Sequence, residues 1–421
     1  MRFVYIFLIY VLSPVAILLM LWRGLRSPAY REKFPQRFGF LGFQLDQDSI
    51  WVHAVSVGEV QAASPMIRRL LDAHPDVPMV VSTVTPTGAQ RVRDIFGDRV
   101  QHCYAPYDLP GSVKRFFNRA RPKVAVIMET ELWPNLFHQC GHRKVPLILA
   151  NARISPRSVR KYRWFTGLFG GALSHGIVIA AQSKKDAERF ESLGASPDRT
   201  HVVGNIKFDM DLPADRLDEG RRLREAHSPG RPVWLAASTH EGEESIMLDA
   251  MLTIRQRFPA ALLILVPRHP ERFSGVSILV SDKYGFVLNT RSKDRVFDEY
   301  CEVFLVDTVG ELPTFFSSAD IAFVGGSLVP VGGHNLLEPA AAGIPIITGP
   351  HTFNAEEVNQ LLLDAGAVET VHGADGLANQ VIHCFSNPNE CKAKGAKGLA
   401  VLQRNRGALD RLLDLLEPLI R

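Results

Sequence analysis

Residues 321–349, "IAFVGGSLVPVGGHNLLEPAAAGIPIITG", decide the fold. Ile321 to Val324 is a short apolar run of the kind that forms a buried strand. Two pairs of glycines follow, a helix is expected to begin near Asn335, and "IPIITG" opens a second apolar run. Strand, turn, helix and strand, with both strands apolar throughout, describe a parallel sheet covered on both faces. The pattern extends in both directions. "IWVHAV", "MVVSTV", "KVAVIM", "PLILAN" and "GIVIAA" precede it, and "VWLAAS", "ALLILVP" and "VFLVD" complete the set. Amphipathic stretches such as Ala63, Ile67, Leu70 and Leu71 lie between them. So many strands exceed one comfortable sheet. The expected class is therefore α/β, with two doubly wound, Rossmann-like domains.

The segment "VVGNIKFDMDLPADRLDEG" turns polar and carries Pro and Asp before "RPVWLAAS" begins a new unit, so the domains are expected to divide there. The chain then reads as an N-terminal segment (1–25), a first domain (26–206), a second domain (207–390) and a helical stretch (391–421) that packs back across both.

A chain of 421 residues, 46% hydrophobic and 22% charged, has the composition of a globular protein with a sizeable core. A net charge of +4 is too mild to imply nucleic acid, and no zinc-finger or helix-turn-helix pattern is present. The five cysteines form no CxxC pair, which points away from a disulfide framework or a zinc site. The N-terminus stands apart. Phe3 to Trp22 is uncharged, about the twenty residues a helix needs to cross a bilayer. Arg23, Arg26, Arg31, Lys33 and Arg37 follow it, with only Arg2 before it. That asymmetry places the body of the protein on the cytoplasmic side and lets those residues touch anionic head groups. A helix lying in the interface is the alternative to one that spans.

Ligands of doubly wound folds bind outside the carboxyl ends of the strands. In the second domain the glycines after Val324 let backbone N–H groups approach a phosphate. Glu338, one turn into the expected helix, has the reach to accept from two ribose hydroxyls. Pro267 and Arg268 lie just past the end of "LLILVP", and an Arg there offers planar, bidentate donors. Thr308 and Gly310, after "VFLV", offer a hydroxyl and a backbone donor to the same anion. No G-x-G-x-x-G spacing supports a dinucleotide site. In the first domain Glu129 and Glu131 follow the strand ending at Met128, and Arg153 follows the one ending near Asn151. The stretch "RSVRKYRWF", with Arg157, Arg160, Lys161 and Arg163, is either a solvated helix face or a patch for an anionic lipid head group. Glu59 reads in two ways. Ser56 and Glu59 fit a capping box. If the helix instead starts at Ser64-Pro65, Glu59 lies in a loop, free to act as a base.

The motifs "WVHAVSVGEV", "METELWPN", "NARIS", "GNIKFD", "VPRHPERF", "VDTVGEL" and "GGSLVPVGGHNLLEPAAAGIPIITGPHTFN" occur in an order that resembles the 3-deoxy-D-manno-octulosonic acid (Kdo) transferases of lipopolysaccharide synthesis. The likeness covers nearly the whole chain. It implies the two-domain glycosyltransferase fold called GT-B, a CMP-Kdo donor, and a lipid A precursor (lipid IVA) as acceptor at the cytoplasmic face of the inner membrane. By the same resemblance Glu59 would be the general base, and Glu129 and Lys207 would stabilise the transition state. Pro267, Arg268, Thr308, Val309, Gly310, Asn335, Leu336, Leu337 and Glu338 would hold CMP. One phosphate leaves, so no metal or other cofactor is expected, and the transfer would invert the sugar carbon. A GT-B enzyme using a UDP-sugar, and a membrane-tethered binding protein without activity, are the competing readings.

Overall fold

The computed structural model describes residues 2–26, 28–162 and 176–420. They form two compact units, Met1–Asp209 with Arg406–Arg421, and Met210–Asn405. In the first unit the strands are β1 (Ser49–His53), β2 (Met79–Thr83), β3 (Gln101–Tyr104), β4 (Pro122–Met128), β5 (Leu147–Ala152), β6 (Ile177–Ala181) and β7 (Thr200–Val202). They make one parallel sheet in the order β3-β2-β1-β4-β5-β6-β7. Successive side chains of a strand point to opposite faces, and because both faces are covered β1 is buried at each position. Trp51 enters the core containing Phe116 and Phe117. Ile50 and Val52 enter the opposite core, with Ile67, Leu70 and Leu412. The Trp51 indole N–H is satisfied by the Ser82 hydroxyl at 2.8 Å.

The second unit repeats the plan with β8 (Val233–Thr239), β9 (Leu262–Pro267), β10 (Leu288–Thr290), β11 (Val303–Leu305), β12 (Ile321–Val324), β13 (Ile346–Thr348) and β14 (Val368–Thr370). Their order is β10-β11-β9-β8-β12-β13-β14. In each sheet the chain first fills one side of its first strand and then crosses to the other, although in the second sheet β11 inserts between β9 and the edge strand β10. The direction of winding therefore reverses between β1 and β4, and again between β8 and β12. Crevices open at such switch points, beyond the strands' carboxyl ends.

The helix after β1 runs from Val57 to Ala73 with Pro65 inside it, so the alternative start at Ser64 does not hold. Proline lacks the N–H that would bond to the carbonyl of residue 61. The Ser64 hydroxyl takes its place, donating to Gln61 O at 2.9 Å, and the helix continues.

A second departure concerns Arg37. It is 2% exposed, donates to Val84 O at 2.8 Å and lies 4.3 Å from the Tyr104 ring centre. It is a core residue of the first unit rather than a contact for head groups. All five cysteines are free and buried. The helix Pro388–Arg404 packs in the second unit, where a side chain in place of Gly395 would strike Gly343 O at 2.1 Å. The helix Ala408–Ile420 returns to the first unit and buries Leu409, Leu412 and Leu416.

The N-terminal helix Arg2–Arg26 contains an apolar stretch, Arg2–Met20, of mean hydropathy 2.5, long enough to cross a membrane. It leaves Phe3, Phe7 and Leu18 largely exposed. The Tyr5 hydroxyl donates to Asp108 at 2.8 Å. Asp108 also accepts from the backbone N–H groups of Asn135 and Leu136, at the start of the helix Pro134–Arg143.

Candidate active site

In the first unit, Glu59 and Glu129 follow the two strands that flank the switch point, β1 and β4. Glu59 occupies the first turn of its helix, where Ser56 is the N-cap. The Ser56 side chain caps no backbone N–H. The carboxylate itself closes the turn, accepting from Val55 N–H at 2.8 Å and from the Ser56 hydroxyl at 3.3 Å. Burial pushes the Glu59 pKa up from the ordinary 4.5 to about 7; the Val55 bond pulls it down and the charges of Glu129 and Glu131 push it further up. The two sequence readings are thus not exclusive. The same carboxylate caps the helix and ionises near neutral pH.

Glu129 begins the turn after β4 with φ at 55°, a left-handed conformation unusual for a residue with a long side chain. Asn151, in the adjacent β5, has φ 54°. Such positions cost on the order of 1–3 kcal/mol each and gather at functional sites. The Glu129 carboxylate is gripped from two sides, by Lys207 Nζ at 3.2 Å and Arg153 Nε at 3.1 Å. Lys207 lies on a short turn that a buried amide chain holds in place. Asn151 accepts from Ile206 N–H at 3.1 Å, Asn205 donates to Gln182 at 3.2 Å, and Gln182 donates to Asn151 O at 2.9 Å. Glu131 accepts from the Trp133 indole at 2.6 Å, and burial raises its pKa too. Arg157 and Arg160 are exposed on the helix Pro156–Tyr162, whereas Arg163 lies outside the described residues.

In the second unit, Pro267 ends β9 and is buried, with Arg268 exposed beyond it. Leu336 and Leu337 are buried, so a ligand there would meet their backbone and the side chains of their neighbours. Asn335 accepts from Leu337 N–H at 3.1 Å and donates to Glu338 at 3.2 Å. The helix is short, Leu337–Ala341, and starts two residues later than the sequence suggested. Burial raises the Glu338 pKa, and the charge of Arg268 lowers it, which places these two residues within each other's field. Val309 is 78% exposed and Gly310 has φ 87°. The Thr308 hydroxyl donates to Glu311, which is itself paired with Arg291. To donate to an anion, that hydroxyl would have to turn away from Glu311.

Sequence reasoning passed over the segment after β8, "THEGEE". Glu243 is fully buried and accepts from four backbone N–H groups: His240 at 2.9 Å, Gly326 at 2.7 Å, Ser327 at 3.0 Å and Leu328 at 2.9 Å. One carboxylate thus holds the glycine turn after β12 against the end of β8. Glu244, 1% exposed, takes both guanidinium arms of Arg272 at 2.6 and 2.9 Å and fixes the turn after β9. Buried carboxylates are rarely without partners, and both of these adjacent acids have theirs. Among the described residues, no three His, Cys, Asp or Glu side chains are disposed to hold a metal ion.

Residues 32–210 match the family model described as 3-deoxy-D-manno-octulosonic-acid transferase (kdotransferase). The 3-deoxy-D-manno-octulosonic acid transferase of Haemophilus influenzae is 41% identical over 99% of this chain and 98% of its own. That of Bordetella pertussis is 34% identical over 96% of each. A crystal structure of a glycosyltransferase from Rickettsia africae superposes with a TM-score of 0.56 at 12% identity, covering 90% of this chain and 100% of that one. That likeness extends to the fold, two parallel Rossmann-like units of the GT-B type. A glycosyltransferase fold and full-length identity at this level lead to one conclusion: the chain belongs to the 3-deoxy-D-manno-octulosonic acid (Kdo) transferase family.

Proposed function

We propose that the chain transfers Kdo from CMP-Kdo to a lipid A precursor of the lipid IVA type, inverting the anomeric carbon and releasing CMP. The observation that carries this reading is Glu59, a carboxylate brought to about pKa 7 at the switch point of the first unit. A general base works best when its pKa lies near the ambient pH. At neutral pH Glu59 is ionised often enough to take the acceptor hydroxyl's proton and basic enough to hold it. Lys207 and Arg153 hold Glu129 in place. Lys207 then offers its ammonium to the anionic groups of the donor as the bond to phosphate breaks, and Glu129 to the cationic sugar carbon.

The second unit is assigned the nucleotide. Glu338 beside Asn335 suits a ribose, and Arg268 suits the phosphate that departs. The apolar N-terminal helix is assigned to the inner membrane, with both units on the cytoplasmic side and the exposed Arg157 and Arg160 available to the acceptor's phosphates. Purified full-length protein, given CMP-Kdo and lipid IVA, should yield a lipid heavier by one or more Kdo residues in mass spectrometry. Unchanged lipid, or a product formed only with a UDP-sugar, would reject the assignment.

Arg268→Ala should raise KM for CMP-Kdo by roughly 10- to 100-fold, the worth of a charge-assisted hydrogen bond of about 1.5–3 kcal/mol. KM for the lipid should stay within about twofold. Equal effects on both substrates would detach Arg268 from the donor.

A further inference from the structure

The switch point of the second sheet carries a side-chain cluster that no part of the reading above uses. His240 follows β8, and His334 lies in the glycine loop after β12. Their rings lie within 11° of parallel with centroids 5.0 Å apart, and the two Nε2 atoms are 2.7 Å from each other. His269, next to Arg268, meets the His240 ring edge-on at 5.2 Å. Gly326 lies against the pair, since a Cβ there would come within 3.2 Å of His334 and 3.5 Å of His240. The backbone of that turn is fixed by Glu243, which also accepts from the backbone N–H of His240. The cluster is therefore positioned by buried structure on both sides of the crevice, and both imidazoles remain only partly covered.

A contact of 2.7 Å between two ring nitrogens requires one proton between them, with one ring donating and the other accepting. In that state the pair is neutral, and one Nδ1 is bare. A further proton can settle on the bare Nδ1 without disturbing the shared bond, giving one positive charge spread over two rings. Another would set N–H against N–H and break the contact. The pair thus has room for a single added proton.

We propose that the His240–His334 pair binds the phosphate of the nucleotide and takes up one proton as it does so, becoming a cation opposite the departing CMP. This inference rests on the assignment of CMP to the second unit. Without ligand the pair is held neutral at physiological pH. Burial, then the neighbouring His240, Arg268 and His269, bring the His334 pKa down to about 4. His240 is lowered by burial and by His269, Arg272 and Arg268, against the opposing charge of Glu243. A phosphate placed among these groups reverses the balance, because an anion favours the protonated form. The proton is taken from solvent on binding and returned on release.

The test is calorimetric titration of CMP into the full-length protein near pH 7, in buffers of different ionisation enthalpy. The slope against buffer enthalpy counts protons. We expect uptake approaching one proton per CMP, and affinity that falls by up to about tenfold per pH unit between roughly pH 7 and 8. The ligand's own phosphate loses its last proton near pH 6 and would give a change of opposite sign. Cytidine, without phosphate, should bind with no uptake. His240→Gln and His334→Gln should each abolish the uptake and flatten the pH dependence, whereas His269→Gln should keep both. If the unaltered protein does not bind CMP, the nucleotide assignment itself falls. If it binds CMP without proton uptake, or if uptake survives in both pair variants or disappears in His269→Gln, the assignment stands and the histidine proposal is overturned. The measurement on the unaltered protein decides even if a variant fails to fold.

Discussion

Glu59→Gln should lower kcat for Kdo transfer by about 10²- to 10⁴-fold, the range that a positioned general base contributes. The amide can still accept from Val55 N–H, so the helix start at Val57 survives, and CMP affinity should not change. With the native residue, kcat/KM should climb with pH and level off above about 7, the value to which burial and the neighbouring carboxylates bring Glu59. The residual activity of the variant should be flat over that interval. The raised pKa has an opposite consequence for stability. A carboxyl whose pKa is higher folded than unfolded stabilises the protein fully below the unfolded value of about 4.5, and that contribution is lost as pH rises through about 7. Glu59→Gln removes this titration, so its melting temperature relative to the native protein should improve between pH 5 and 8. A variant that melts early at every pH, or that loses CMP, would return Glu59 to a purely capping role.

The prediction rests on features of unequal legibility. Every central strand was visible as an apolar run, because a parallel strand covered on both faces has no polar side. β3, β7, β10 and β14 were not among the runs, and each lies at the edge of its sheet. They are three or four residues long and partly exposed, so no continuous run marks them. Among the candidate residues, those just past apolar strands were easy to find, since the fold fixes where ligands gather. Their partners were harder. The pairing of Glu129 with Lys207 and Arg153 joins residues far apart in sequence, through an amide chain that leaves no local pattern. Arg37 looked like part of a basic flank because charge in a sequence is normally charge on a surface. Its burial over Tyr104 depends on tertiary contacts that composition does not encode. The segment "THEGEE" failed for the same reason. Nothing near Glu243 in sequence announces three N–H groups that arrive from residues 326–328.

Glu243→Gln tests how much of the second unit's ligand site depends on that one side chain. The carboxylate meets four N–H donors. An amide offers one accepting oxygen and turns an N–H₂ group toward the others, so about two donors lose their partner in a fully buried place. Each unmatched buried donor costs roughly 1–3 kcal/mol, giving a local loss of about 2–6 kcal/mol. The two units need not unfold together, so a single global unfolding energy would be a poor readout. Hydrogen exchange on peptides spanning residues 324–333 reports the loop directly. A loss of about 2 kcal/mol or more corresponds to at least roughly 30-fold faster local opening. CMP binding should weaken in step if, as proposed, that turn approaches the phosphate, because it is no longer fixed. Glu244→Gln provides the contrast. It breaks the bidentate contact with Arg272 and loosens the turn after β9, but leaves the four N–H groups on Glu243 satisfied. Exchange at 324–333 should then stay slow. If Glu243→Gln leaves both exchange and CMP affinity unchanged, the glycine turn is held by its own backbone and the buried carboxylate is not what shapes the site.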